Sequence, residues 1–136
     1  MTQSDQQLPG SQGEKRLQKE LGTDDRARRF YENAVSDQLT DRMISYVTER
    51  STAFVGSTSG AVSSVRVRHY EDLITVHDRG SIGWREPENS TFARRARGAE
   101  HGTLMAVDWE DTTVGLHVNG ELSTEQTADG VMCHLA

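Results

Sequence analysis

The sequence holds a single cysteine, Cys133, so no intramolecular disulfide can staple the fold. It also has no apolar run of the length that a secretory signal or a membrane helix needs, and the expectation is a soluble, cytoplasmic protein with no membrane partner. Basic residues are outnumbered: 15 Lys and Arg stand against 21 Asp and Glu, for a formal charge of -6. That balance argues against the broad phosphate-neutralising surface of a nucleic-acid binder and leaves room only for a local basic patch. Hydrophobic residues are scarce too, at 34% of 136 positions. A single domain of this size and composition builds a thin core and gains from burying a face against a second copy, so a homodimer is expected. Helical metal-ligand spacing is missing as well: His69, His77, His101, His117 and His134 include no H-x-x-x-H pair, and no metal site is expected. Nor does any serine stand in the sharp G-x-S-x-G context of a hydrolase nucleophile.

What is present falls into three stretches. Residues 1–13, rich in Gln, Ser and Gly, have almost nothing to bury and read as a disordered tail, leaving 14–136 as one domain whose helices occupy 14–50. Leu17 and Leu21 share a helix face, Gly22 stops that helix, and Thr23 is placed to cap the next. The second helix runs to about Asp37 with Phe30, Ala34 and Ala27 as its apolar stripe. Thr40 or Ser36 caps a third, carrying Met43, Ile44 and Val47.

Beyond Ser51 the period drops toward two, with strands expected at Thr52–Ser57, Val62–His69, Leu73–His77, Thr103–Trp109, Thr113–Asn119 and Val131–Leu135. The second has one apolar face, Val65 and Val67, and one polar and basic face, Ser64, Arg66 and Arg68. Tyr70-Glu71-Asp72 predicts a hairpin link and Asn119-Gly120 a tight turn. Asn89 or Ser90 caps one short helix that ends at Gly98. Helices followed by closely spaced antiparallel strands predict a mainly β, α+β domain in the form of a small barrel.

The stretch VDWEDTTVGLHVNGEL, Val107 to Leu122, resembles the "VDF…IGLHVNG" block of the pyridoxamine 5'-phosphate oxidase-like group. The helical segment EKRLQKELGTDDRARRFYENAVSDQLTDRMISYVTER is similar to that group's opening, and the two cover roughly 14–55 and 103–122 in the same order. The resemblance implies a split β-barrel homodimer with flavin mononucleotide (FMN) at the subunit interface and redox chemistry on a small organic substrate. By position it implies that Arg66 and Ser81 meet the flavin phosphate, and it matches Arg79, Gly80 and Gly83 to the group's "YRGNG" turn. The chain departs from the group in three places. No "RxGPPG" run follows the first strand, Ile82 and Gly83 stand where basic residues are expected, and VMCHLA resembles a shortened closing strand.

Arg79, Arg85, Arg94, Arg95 and Arg97 crowd into one region, which points either to anion binding with the backbone of Gly80, Ser81 and Gly83 or to a solvated helix face with salt bridges. Trp84, beside that turn, is placed to stack on an aromatic ligand, whereas Trp109 reads as packing at a strand end. His117 belongs to the framework block and is free to line a cavity or interface. His77, followed by Asp78, is the candidate for proton transfer. Three functions follow: a flavin-dependent oxidoreductase using Arg66, Arg79, Ser81 and Trp84; a cofactor-free isomerase, dehydratase or cyclase in small-molecule biosynthesis using His77, Asp78, Arg79 and Trp84; and a non-catalytic ligand- or haem-binding module.

Overall fold

The computed structural model describes residues 10–110 and 115–136. The expected tail through residue 9 and the first two residues of the strand read at Thr113–Asn119 lie outside them. Two compact units divide the chain, one ending at Asp37 and one spanning Gln38–Ala136. The first holds α1 (Gln12–Glu20) and α2 (Asp24–Ala34). Ser11 Oγ accepts from Glu14 N at 3.1 Å, a side-chain cap that starts α1 inside the stretch read as tail. Glu14 Oε1 then accepts from Tyr31 OH at 2.6 Å and ties the two helices together. Thr23 precedes α2 but turns its hydroxyl back to Gln18 O, so α2 has no side-chain cap. Phe30, expected in a buried stripe, is 60% exposed.

The second unit is mainly antiparallel sheet: α3 (Asp41–Thr48), β1 (Thr52–Ser59), β2 (Val62–His69), β3 (Ile74–Asp78), β4 (Ser81–Glu86), α4 (Thr91–Ala96), β5 (His101–Val107), β6 (Gly115–Thr127) and β7 (Gly130–Leu135). Thr40 caps α3 through Met43 N and Ser90 caps α4 through Ala93 N, both as the sequence implied. The strand order is β2-β1-β5-β6-β7-β4-β3. The long β6 belongs to both halves, pairing with β5 over Gly115–Glu121 and with β7 over Leu122–Thr127.

That long strand overturns the expected turn at Asn119-Gly120, which runs straight through the ladder opposite Thr103 and Gly102. The glycine serves a close approach instead. A Cβ on Gly120 would stand 2.5 Å from Ala136 O, the acceptor of the bond from Glu121 N. The expected β2–β3 hairpin is likewise absent, because the two strands end up at opposite ends of the sheet order. Asp72, at φ 54°, turns the chain, and Tyr70 OH docks on β4, donating to Arg85 O at 2.7 Å and accepting from Arg85 N at 3.0 Å. Beside it, Arg68 from β2 grips Glu86 of β4 through two donors. Side chains therefore close the seam that the ladder leaves open.

A core of Val47, Ala53, Val55, Ile82, Trp84, Phe92, Leu104, Val131 and Leu135 fills the interior, with Phe92, Ala93 and Ala96 of α4 all buried. Alternation decides which face of each strand joins it. On β2 the inward side is the polar one: Ser64 is buried and Arg68 half-buried, whereas Val65 and Val67 face outward. Among the described residues no helix is long and apolar enough to cross a membrane.

Candidate functional site

In the half-sheet β2-β1-β5-β6, the outward positions fall into three cross-strand rows fixed by the register. The first is Val67, Phe54, Met105 and His117; the second Val65, Gly56, Thr103 and Asn119; the third Ser63, Thr58, His101 and Glu121. The first row is apolar for three of its four members, and Trp109 extends it by packing on Phe54 with ring centroids 6.3 Å apart. The second is hollow at its centre, because Gly56 has no side chain and Thr103 leans its methyl over it, 2.6 Å from where a Cβ would be. A groove of about 790 Å³ follows the second and third rows. That size suits a small organic ligand.

Thr103 orders the groove's chemistry. Its hydroxyl oxygen lies 3.2 Å from Val118 O and 2.6 Å from His117 Nε2. Thr103 and His117 thus form one hydrogen-bonded pair on the groove's wall, in which either group can carry the shared proton. His101, Asn119 and Glu121 supply further hydrogen-bonding groups along the same wall. No Lys or Arg lines the groove among the described residues.

The residues singled out in the sequence do not gather there. Trp84 is fully buried against Phe92, centroids 6.4 Å apart, and donates Nε1–H to Glu86 at 2.9 Å, so its ring presents no free face to a ligand. Arg79 donates to Leu39 O at 2.9 Å and pairs with Asp41, holding the chain at the start of α3. Asp78 Oδ1 accepts from Gly80 N at 2.7 Å, an internal cap of the β3–β4 turn. Ser81 opens β4 half-buried, and Arg66 is exposed on β2 with Nη1 on the neighbouring Val65 O. Arg94, Arg95 and Arg97 disperse to Thr91, Ser64 and Gln126. The stretch read as a ligand-binding loop is thus a hairpin whose second strand supplies the core.

FMN demands charge-assisted donors around its phosphate and a face for its ring. Arg66 lies on β2 and Arg79 in the β3–β4 turn. Of the set expected to hold FMN, Trp84 has no free ring face and Arg79 is already paired with Asp41, whereas Arg66 is exposed and Ser81 half-buried. Cys133 offers no nucleophile either: burial, with the Glu86 carboxylate adding to it, pushes its thiol up to about 12.

His77 lies on the outward face of the other half-sheet, where His134 Nδ1 meets its Nε2 at 2.9 Å and Glu125 stands 3.3 Å from His134 Nε2. Sequence reading picked His77 but gave it the wrong neighbour. The clue it missed was alternation along the closing strand, which sends Met132 and His134 to one side and Val131, Cys133 and Leu135 to the other. The groove was hidden for a similar reason. His101, Thr103 and Met105, and His117, Asn119 and Glu121, are each spaced by two, but a turn assumed at Asn119-Gly120 cut the second set.

Neither a family model nor a curated protein matches the sequence. Among solved structures the chain is similar to a histidine-to-alanine variant of HupZ from Group A Streptococcus, with 10% identity, a TM-score of 0.58, and 71% of this chain and 92% of that one covered. It is also similar to a candidate pyridoxamine 5'-phosphate oxidase from Listeria innocua, with 12% identity, a TM-score of 0.54, and coverage of 71% and 90%. These likenesses agree with the resemblance carried by the VDWEDTTVGLHVNGEL stretch. The fold is a pyridoxamine 5'-phosphate oxidase-like split barrel.

Proposed function

We propose that the chain acts as a homodimer formed over the outward face of β2-β1-β5-β6, and that the groove on this face holds a small neutral or cationic organic molecule. The observation that carries this reading is the groove's lining: hydrogen-bonding groups from Thr103, His101, His117, Asn119 and Glu121, with no Lys or Arg among the described residues to receive a phosphate. Val67 and Met105, 53% and 39% exposed, form an apolar strip beside it, and such strips gain by being covered. A two-fold axis would bring each strip against its own copy and wall in both grooves. Within that closed space the His117 imidazole, hydrogen-bonded to Thr103, is the group that would exchange a proton with the ligand, so cofactor-free acid–base chemistry is the enzymatic form of the proposal.

A flavin-dependent oxidoreductase is the second reading. Exposed Arg66 favours it: it lies on the edge strand β2, alternating away from Ser63 and Val65, where a phosphate reaching round the strand edge would meet its guanidinium.

One pair of experiments separates the two. The purified protein, incubated with FMN and desalted, is expected to show no flavin absorption; retention of one FMN per chain, lost in Arg66→Ala, would establish the second reading instead. A haem band after the same treatment with haemin would point to the haem-binding alternative. With a library of neutral and cationic heteroaromatic fragments, backbone amide NMR shifts are expected at Thr103, His117 and Asn119 and to vanish in His117→Ala. Shifts confined to other faces would refute the groove.

A further inference from the structure

We propose that His77, His134 and Met132 form a copper site on the outward face of β3-β4-β7, apart from the groove. The ladder between β3 and β4 slips between Val76 and Asp78, and His77 sits in that irregularity. Such bulges re-aim a side chain. Here it sends His77 over Gly83, whose register partner on β7 is His134. A Cβ on Gly83 would lie 2.8 Å from His77 Nε2 and 3.3 Å from Met132 Sδ, so the missing side chain leaves a notch that imidazole and thioether both border.

The geometry fits two donors to one ion. Two metal–nitrogen bonds of about 2.0–2.1 Å at a right angle put the nitrogens about 2.9 Å apart, the cis spacing of a square-planar centre. His77 Nε2 and His134 Nδ1 are 2.9 Å apart. At this distance His134 Nδ1 accepts from His77 Nε2–H, with ring centroids 4.8 Å apart and planes at 45°, and a metal ion that displaces this one proton frees a lone pair on each nitrogen.

The outer contact is also in place. His134 Nε2–H points at the Glu125 carboxylate, 3.3 Å away, an arrangement that fixes the tautomer with Nδ1 as the donor to a metal and raises the ring's basicity. Among the described residues no three His, Cys, Asp or Glu side chains converge to hold a metal. Met132 Sδ, on the border of the same notch, is the third donor of the proposal, a soft thioether that favours copper(I), and copper binds nitrogen sites most strongly of the divalent series.

The test is titration of the full chain with copper(II), followed by calorimetry and electron paramagnetic resonance, and repeated under reductant. One equivalent is expected to bind with hyperfine splitting from two nitrogens. His77→Ala combined with His134→Ala should lose that splitting and weaken binding at least about tenfold, and Glu125→Gln should weaken it about 10–100-fold. Met132→Leu should weaken copper(I) more than copper(II). These side chains face solvent, and circular dichroism checks that each variant folds. Equal copper affinity in the wild type and the folded double variant would overturn the site, as would tighter retention of zinc than of copper. His117→Ala should leave copper binding unchanged, so failure here and failure of the groove are read separately.

Discussion

Replacing Glu86 by alanine is expected to lower the unfolding free energy by about 3–5 kcal/mol, the usual effect of removing one partner of a buried ion pair. The Glu86 side chain is completely buried and that of Arg68 is 18% exposed, so water cannot take over the carboxylate's role. Three losses coincide. Arg68 keeps a charge that Glu86 had stabilised: hydrogen bonds to the carboxylate hold the guanidinium pKa above its ordinary value, outweighing the opposing effect of burial. Trp84 Nε1–H loses its acceptor in the core. The seam between β2 and β4, which carries no ladder, loses its central link. Because domains of this size are stable by only about 5–15 kcal/mol, the variant should unfold at much lower urea. Glu86→Gln keeps an acceptor for Trp84 and most of the volume, so its loss should be smaller. Urea denaturation of all three proteins at neutral pH measures this, and a loss below about 1 kcal/mol in Glu86→Ala would show that the pair does not close the barrel.

Trp84→Ala is expected to cost about 3–5 kcal/mol, the range for emptying a buried aromatic site. The ring has no exposure, packs on Phe92 and hydrogen-bonds to Glu86, so the void opens beside the same ion pair. Residues in contact are not additive: the double variant with Glu86→Gln should lose less than the sum of the single losses. Trp84→Phe separates packing from ligand contact, because it keeps an aromatic ring in the core while removing the indole N–H and part of the ring system. Fragment binding in Trp84→Phe should match wild type. Weakened binding with unchanged stability would mean that the ring meets the ligand after all.

The fold was legible where sequence pattern and tertiary need agree. The Val- and Thr-rich alternation of Val62–His69 and the caps at Thr40 and Ser90 are local signals, and local interactions satisfy them. The β4 strand was missed because Glu86 occupies an inward position that alternation reserves for an apolar residue, and only Arg68, 18 positions earlier, makes that tolerable. Asn119-Gly120 misled because glycine has two uses, a tight turn and a close backbone approach, and nothing local says that Ala136 will be the neighbour. The faces of β2 were separated correctly, but which one points inward depends on Glu86 and on Arg95, which reaches Ser64 at 2.8 Å. His77 stood out through the adjoining turn, whereas its partner His134 comes from β7, 57 residues further along the chain, and is itself met by Glu125 of β6.

Sedimentation equilibrium of the wild type beside Met105→Glu tests most directly whether a second copy covers the outward face of β2-β1-β5-β6. Met105 stands between Phe54 and His117 in the apolar row, so a carboxylate there would face its own counterpart across the two-fold axis. Twice the chain mass for the wild type and a single chain mass for a folded Met105→Glu are the predicted results. A wild type that sediments as one chain at all concentrations, or a variant that remains a dimer, would contradict the account.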